Sequence, residues 1–306
     1  MRGSGRLPTD MTLYEIGSIS KTFVGLLLAQ AELDGKVQLF DDVRLHLKET
    51  YPNLEYLGQP ILLWHLISHV SGLPYMLPDH PELFSNPNFE TLPAAIVALL
   101  DGYTRDDFLR DLHTVVLDQL PGQDFRYSNA GAMLLGYILE DKYGMAFEQL
   151  LRTRIADPFG MHATTSLNAT EASEFASGHG ETGLVALACP VTMNAAGGIR
   201  STISDMLRYV ARHLDESDPA IELSHRVRWG ESTARGLGLN WQIAHSSEGH
   251  RRIWQSGGTF GFSSYCAGYP ELGIGIVLLS NEFDPNSQER LGNIASRIFS
   301  LIHNKA

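Results

Sequence analysis

Gly17-Ser18-Ile19-Ser20-Lys21-Thr22-Phe23-Val24-Gly25-Leu26-Leu27-Leu28-Ala29-Gln30-Ala31-Glu32-Leu33 is the stretch from which the rest of the chain is read. Phe23, Val24, Leu26, Leu27, Leu28, Ala31 and Leu33 recur at helical spacing, and Gly35 stands where a helix C-cap falls, so the pattern predicts a buried helix over Ser18–Leu33. If Ser18 opens that helix, its hydroxyl and the Lys21 ammonium share one face, with Cβ atoms about 5–6 Å apart. A neutral lysine there accepts the serine proton. An exposed one is protonated at neutral pH, so this chemistry requires burial or a nearby cation to lower its pKa. The helix N-terminus adds a partial positive charge that favours an alkoxide-like oxygen. Ser20, adjacent to Lys21, points elsewhere. Taken alone, Ser-x-x-Lys reads first as a plain N-cap with a lysine in the first turn.

Outward from this helix, an apolar run over Ile61–His69 stops at Ser71-Gly72-Leu73-Pro74. Helical patterns follow over Leu92–Leu100, Asp106–Leu117, Ala130–Tyr143 and Ala146–Ile155. After Cys189 the texture changes. Ala195-Ala196-Gly197-Gly198 makes a turn, and Thr202-Ile203-Ser204-Asp205 resembles a capping box that opens a helix toward Leu214. Strand character then covers Leu237–Ala244, Arg252–Ser256, Gly261–Tyr269 and Gly273–Ser280, spaced as antiparallel hairpins. A last amphipathic pattern, Arg290, Leu291, Ile294, Ile298, Leu301 and Ile302, gives a helix to cover one sheet face. The expected fold is therefore α/β (α+β) and two-lobed. Residues 1–60 and 190–306 form the lobe with the antiparallel sheet, residues 61–189 an inserted, mostly helical lobe, and the active site lies in the cleft between them.

Composition narrows the function classes. The 306 residues are 43% hydrophobic and 19% charged, as in a globular protein rather than a disordered one. Lys and Arg number 23 against 35 Asp and Glu, a formal charge of -12 that repels phosphate backbones and anionic lipids, so nucleic acid is not an expected partner. No apolar stretch approaches the roughly 20 residues of a membrane span. Met1-Arg2-Gly3-Ser4-Gly5 carries neither the apolar segment nor the cleavage site of a secretory signal, which leans the localisation toward the cytoplasm. Cys189 and Cys266 fit no disulfide framework or thiolate zinc pattern and read as buried small hydrophobes. His65 and His69 are four apart, a spacing that suits a metal, but no third ligand accompanies them and no metal is expected.

Two further segments carry chemistry. In Arg126-Tyr127-Ser128-Asn129, at a loop–helix junction, a phenol and a carboxamide two positions apart can aim into one cleft. Beside cations the phenol would serve as a phenolate base; alternatively Tyr127 is half-buried and Asn129 an N-cap. Trp254-Gln255-Ser256-Gly257-Gly258-Thr259-Phe260-Gly261 is a strand ending in glycines. Its backbone can approach a ligand, and an N–H there would form half of an oxyanion hole with that of Ser18, unless the glycines only make a hairpin turn.

In this order and separation the three segments resemble the serine β-lactamase and penicillin-binding protein superfamily, in its class C-like branch that includes family VIII carboxylesterases. Tyr14-Glu15-Ile16-Gly17, Leu66-Ile67-Ser68-His69-Val70-Ser71-Gly72-Leu73-Pro74, Asp157-Pro158-Phe159-Gly160-Met161 and Ala196-Gly197-Gly198-Ile199 extend the resemblance over nearly the whole chain. It implies a β-lactamase-like fold and a serine hydrolase without cofactor. Ser18 is then the nucleophile, Lys21 and Tyr127 share the proton traffic, and Asn129 orients Lys21 and substrate. The N–H groups of Ser18 and Gly258 hold the oxyanion, and an acyl-enzyme forms and is hydrolysed.

Two departures qualify that expectation. Where the resemblance calls for Lys or His, then Ser or Thr, then Gly, this chain has Gln255-Ser256-Gly257. The site loses a cation that would read a substrate carboxylate and lower the Tyr127 pKa, unless Arg126, Arg251 or Arg252 replaces it. Small neutral esters are thereby favoured over β-lactams and D-Ala-D-Ala peptides, which use the same machinery. Second, only 17 residues precede Ser18, where relatives place a helix and two strands. An incomplete sheet is expected, and either a partner subunit in a homo-oligomer covers its edge or the chain is a truncated and weakly active relative. A different class of reading, a non-catalytic penicillin-binding or sensor module, draws on these departures; the intact Ser18, Lys21 and Tyr127 set argues against it.

Overall fold

The computed structural model describes residues 7–170, 172–180, 183, 186–231, 235–246 and 248–303, so Met1–Gly5 lie outside the described residues. Its centre is a six-stranded antiparallel sheet. From one edge to the other the strands are Ile274–Ser280, Ser263–Tyr269, Arg251–Gly258, Gln242–His245, Arg235–Leu237 and Trp229–Glu231, a meander in which sequence neighbours are spatial neighbours. Alternation along Arg251–Gly258 sends Ile253, Gln255 and Gly257 to the inner face and Trp254 and Ser256 to the outer one.

The Ser287–His303 helix covers the outer face. Its Ala295 and Phe299 pack with Tyr265, Ala267, Tyr269 and Ile276, and the Tyr269 and Phe299 rings stack at 3.8 Å. On the inner face Ile243, Ile253, Cys266 and Val277 join the main core, which runs through the helices Ser20–Leu33, Leu63–Ile67, Asn129–Tyr143 and Ile203–His213. The named elements between residues 61 and 189 are helices. Both cysteines are buried free thiols. Among the described residues no helix is long and apolar enough to cross a membrane.

The central helix is buried almost throughout. Gly25 lets it touch the sheet side, since a Cβ there would stand 2.2 Å from the Leu239 carbonyl oxygen. It ends as its sequence predicts: Gly35 takes φ +67, its amide bonds the Glu32 carbonyl, and the Lys36 amide bonds that of Ala31, a Schellman cap. Its start differs from expectation. Ser18 lies in a 3-10 turn, Gly17–Ile19, and the α-helix proper begins at Ser20, so the Ser18 hydroxyl caps nothing.

Three other elements depart from the sequence reading. Leu237–Ala244 is not one strand but a hairpin: Leu237 pairs with Gln242 and Gly236 with Ile243, and Asn240 at φ +68 turns the chain. The helix expected over Asp106–Leu117 spans Arg105–Leu112; beyond it the side chain of Asn53 takes the Leu112 and Val115 carbonyls. Thr202 does accept the Asp205 amide, but Asp205 turns its carboxylate to the Ala163 amide and the Thr164 hydroxyl, so only half of a capping box exists.

Candidate active site

Ser18 is held by glycines on both sides of a close backbone contact. Gly17 takes φ +52, and a Cβ on it would lie 2.6 Å from the Gly258 nitrogen. A Cβ on Gly257 would lie 2.1 Å from the Ile16 carbonyl oxygen and 2.9 Å from the Ser18 nitrogen. Only glycine permits the end of the strand to press on the turn that carries Ser18. The hydroxyl of Ser264 ties the two by donating to the Ile16 carbonyl at 2.7 Å.

The contact also aims a donor. The Thr259 amide bonds the Phe262 carbonyl, so by antiparallel alternation Gly258–Ser263 is a pair without ladder bonds. The Gly258 N–H therefore points away from the neighbouring strand, on the side where pairing with Gln242–His245 has already ended at Trp254.

Lys21 sits one turn past Ser18 and is fully buried. Its ammonium donates to Ser18 Oγ at 3.2 Å, to the Tyr127 hydroxyl at 2.7 Å and to the Ala196 carbonyl. Ala196 belongs to a turn in which the amides of Ala196, Gly197 and Gly198 converge on the Met193 carbonyl. Among the described residues no carboxylate shares the lysine's bonds, and burial lowers its pKa to about 7. The desolvation that the sequence argument required is present.

Tyr127 closes the triangle, with its hydroxyl 2.5 Å from Ser18 Oγ. Burial pushes its phenol up to about 12, with the Ser18 bond pulling the other way, so it is a neutral phenol rather than the phenolate considered from the sequence. The Leu66–Pro74 motif is its cradle: the Arg126 amide bonds the His69 carbonyl at 2.7 Å, and Ser128 Oγ bonds the Pro74 carbonyl at 2.6 Å. Ser128, not Asn129, is the N-cap of the following helix, accepting the Gly131 amide. The Asn129 amide bonds the Tyr75 carbonyl at 2.7 Å. Lys21 is thus oriented by the Ala196 carbonyl rather than by Asn129.

Gln255 is buried on the inner face, its Nε2 donating to the Asn240 carbonyl at 2.6 Å and its Oε1 accepting the Ser256 amide at 3.0 Å. Ser256 faces the other way and donates to Gln288. The three arginines considered as replacements for a cation at 255 are engaged elsewhere: Arg126 with Asp118 at 2.7 Å, Arg251 with Glu216 and Glu271, Arg252 over the Trp254 ring.

His65 and His69 do not converge on a metal-like point. His65 Nδ1 accepts the Leu62 amide, while both nitrogens of His69 are bonded to Ser128 and Asn240.

A cavity of about 380 Å³ opens beside Gly258. Tyr75, Phe84, Phe89, Ile96, Phe260 and Phe283 are among the residues of its wall, and no charged side chain lines it among the described residues.

The sequence model of the beta-lactamase family matches residues 1–299. The chain belongs to the beta-lactamase family. Over 91% of its length this family member is 29% identical to an Escherichia coli beta-lactamase, covering 78% of that protein. It is 28% identical to the D-alanyl-D-alanine-carboxypeptidase/endopeptidase AmpH of Escherichia coli, over 90% of this chain and 73% of that one. The beta-lactamase/D-alanine carboxypeptidase of Pseudomonas syringae superposes with a TM-score of 0.80 at 21% identity, over 98% and 87% of the two chains. The octameric penicillin-binding protein homologue of Pyrococcus abyssi gives 0.75 at 25% identity, over 97% and 67%. This beta-lactamase-family chain is accordingly of serine-hydrolase type.

Sequence reasoning missed Asn240 and the Glu15–Arg200 pair. Asn240 lies inside the run that reads as one strand, although Gly236, Gly238 and Asn240 within five residues form a turn signal. Glu15 and Arg200, each buried to within 1%, meet at 3.2 Å, where the two-residue strands Tyr14–Glu15 and Arg200–Ser201 pair. They clamp the Cys189 and Gly198 backbone beside the Lys21 turn.

Proposed function

We propose that the chain is a carboxylesterase-type serine hydrolase that forms an acyl-enzyme on Ser18 and acts on small neutral esters, in the cleft between the helical lobe (61–189) and the sheet lobe (1–60 and 190–306). The observation that carries this reading is the aromatic cavity beside Gly258, uncharged among the described residues, together with a Gln255 side chain turned onto backbone. A neutral acyl or alcohol group gains apolar burial there, whereas a substrate carboxylate meets no free cation among the described residues.

Neutral Lys21 takes the Ser18 proton, directly or through the Tyr127 hydroxyl, as Oγ bonds to the ester carbonyl carbon. The Ser18 and Gly258 N–H groups receive the oxyanion. The proton returns through Tyr127 to the leaving alkoxide as the C–O bond breaks, releasing the alcohol. Water, losing a proton to Lys21, then attacks the acyl carbon, and Lys21 returns that proton to Ser18 Oγ as the Oγ–C bond breaks, freeing Ser18 and the carboxylic acid.

A second reading, β-lactam or D-Ala-D-Ala peptide hydrolysis by the same residues, is favoured by the names of the curated relatives. Hydrolysis of a short-chain nitrophenyl ester and of a chromogenic cephalosporin, each with wild type and Ser18→Ala, separates the two. Ester turnover that vanishes in the variant, with little cephalosporin cleavage, is expected. Predominant cephalosporin cleavage supports the second reading, and unchanged ester turnover in Ser18→Ala removes the nucleophile assignment.

A further inference from the structure

Three segments far apart in sequence carry the proposed chemistry, and one polar junction touches all of them. Asn240 Oδ1 accepts from His69 Nε2 at 3.0 Å, and its Nδ2 donates to the Ser18 carbonyl at 3.4 Å. Its own carbonyl accepts the Gln255 carboxamide at 2.6 Å. His69 in turn accepts the Ser128 amide on Nδ1 at 3.2 Å and lays its ring against that of Tyr127, centroids 4.2 Å apart. An acceptor at Nδ1 and a donor at Nε2 fix one neutral tautomer. Asn240 is fully buried and His69 1% exposed, and both stand at positive φ, +68 and +58, conformations that non-glycine residues hold only when their surroundings over-determine them.

We propose that the Asn240–His69 pair is the positioning device of this site: it fixes the Ser18 turn, the Tyr127 ring and the Gln255 strand relative to one another with a chain of neutral hydrogen bonds. The proposal rests on the hydrolase reading above. It also gives Gln255 a role. A carboxamide there anchors the strand to the Asn240 carbonyl without adding charge beside Lys21. The titratable groups around the Lys21 ammonium are Tyr127, His69 and Cys189, all held neutral by burial, with the Glu15–Arg200 ion pair behind Cys189. Among the described residues nothing near it carries an uncompensated charge, so a carboxylate introduced at 240, which meets the Ser18 turn and His69 rather than Lys21 itself, would still favour the ammonium.

The test compares wild type, Ser18→Ala, Asn240→Gly and Asn240→Asp on a nitrophenyl ester, with pH profiles and melting curves. Both replacements at 240 tolerate positive φ, and Asp keeps the shape of Asn. Asn240→Gly is expected to lower kcat 10- to 100-fold with KM within about threefold, since the reacting groups lose register while the cavity stays intact. Asn240→Asp, which keeps the turn even if the glycine variant unfolds, is expected to move the acid limb of kcat/KM upward by about one pH unit, because its carboxylate favours the Lys21 ammonium. Folded 240 variants with wild-type kcat and an unmoved limb overturn the proposal while leaving the hydrolase reading intact. Absence of Ser18-dependent turnover in the wild type overturns the reading beneath it.

Discussion

The pocket that holds Arg200 and the pocket that holds Lys21 are both closed to water, with the two cations 1% and 0% exposed, yet they give their charges opposite characters. Arg200 faces the Glu15 carboxylate and the carbonyls of Leu167, Cys189 and Gly198. Its charge is compensated, and burial raises the Glu15 carboxyl while Arg200 pulls it back. Lys21 faces two hydroxyls and one carbonyl, dipoles without a counter-ion, and its pKa falls to about 7. Pairing makes a buried cation structural. Withholding the partner makes it a base.

Breaking the difference at Lys21 has the largest expected effect. Lys21→Met, of similar length and without charge, should cut ester turnover by at least about 1000-fold while raising the melting temperature, since the desolvated ammonium no longer costs stability. A variant that is both inactive and less stable would contradict the account of its burial.

The pH dependence tests the same point without a mutation. Because the neutral amine is the base, kcat/KM should rise with pH through about 7, and pH 5 should give roughly one-hundredth of the plateau rate. Stability follows the same group. The unfolded lysine keeps its proton to about 10.4 whereas the folded one releases it near 7, so the unfolded state holds more protons between these values. The cost is therefore full below pH 7 and declines as pH rises above it. The melting-temperature gap between Lys21→Met and wild type should narrow from pH 7 to pH 9.

At the paired site the expected loss is of stability first. Glu15→Gln strands the Arg200 charge and should cost about 3–5 kcal/mol in denaturant titration, and the double variant Glu15→Gln, Arg200→Met should recover part of it. Full additivity would show that the two do not act as a pair. The smallest effect is expected from Gln255→Lys, which adds a second ammonium on the inner strand face. Turnover of a carboxylate-bearing substrate should rise several-fold relative to a neutral ester, as read from the ratio of kcat/KM values. An unmoved ratio would separate position 255 from charge selection.

Much of this site is legible in the sequence because its chemistry is carried by side chains at short spacing. Ser18 and Lys21 are three residues apart, and the glycines after Gln255 announce a close backbone approach. What is illegible depends on backbone conformation and long-range partners. The Gly17 turn displaces Ser18 from the N-cap, which the helical apolar period does not reveal. The alternating run Leu237, Leu239, Trp241, Ile243 fits a continuous strand as well as a hairpin, and only Asn240 at φ +68 decides it. Beyond Lys21, Tyr127 lacks the second cation expected near position 255, because Gln255 bonds backbone and Arg126 and Arg251 pair elsewhere, a matter of tertiary contacts alone.

The paired glycines 17 and 257 have a consequence for how this protein can change. The gap between the nucleophile turn and the sheet is set by two missing methyl groups, so neither position offers a tolerated substitution through which substrate range could drift. Adaptation, natural or engineered, is channelled to the opposite wall, where Phe84, Phe89 and Ile96 present side chains that can be trimmed without disturbing the backbone that holds Ser18.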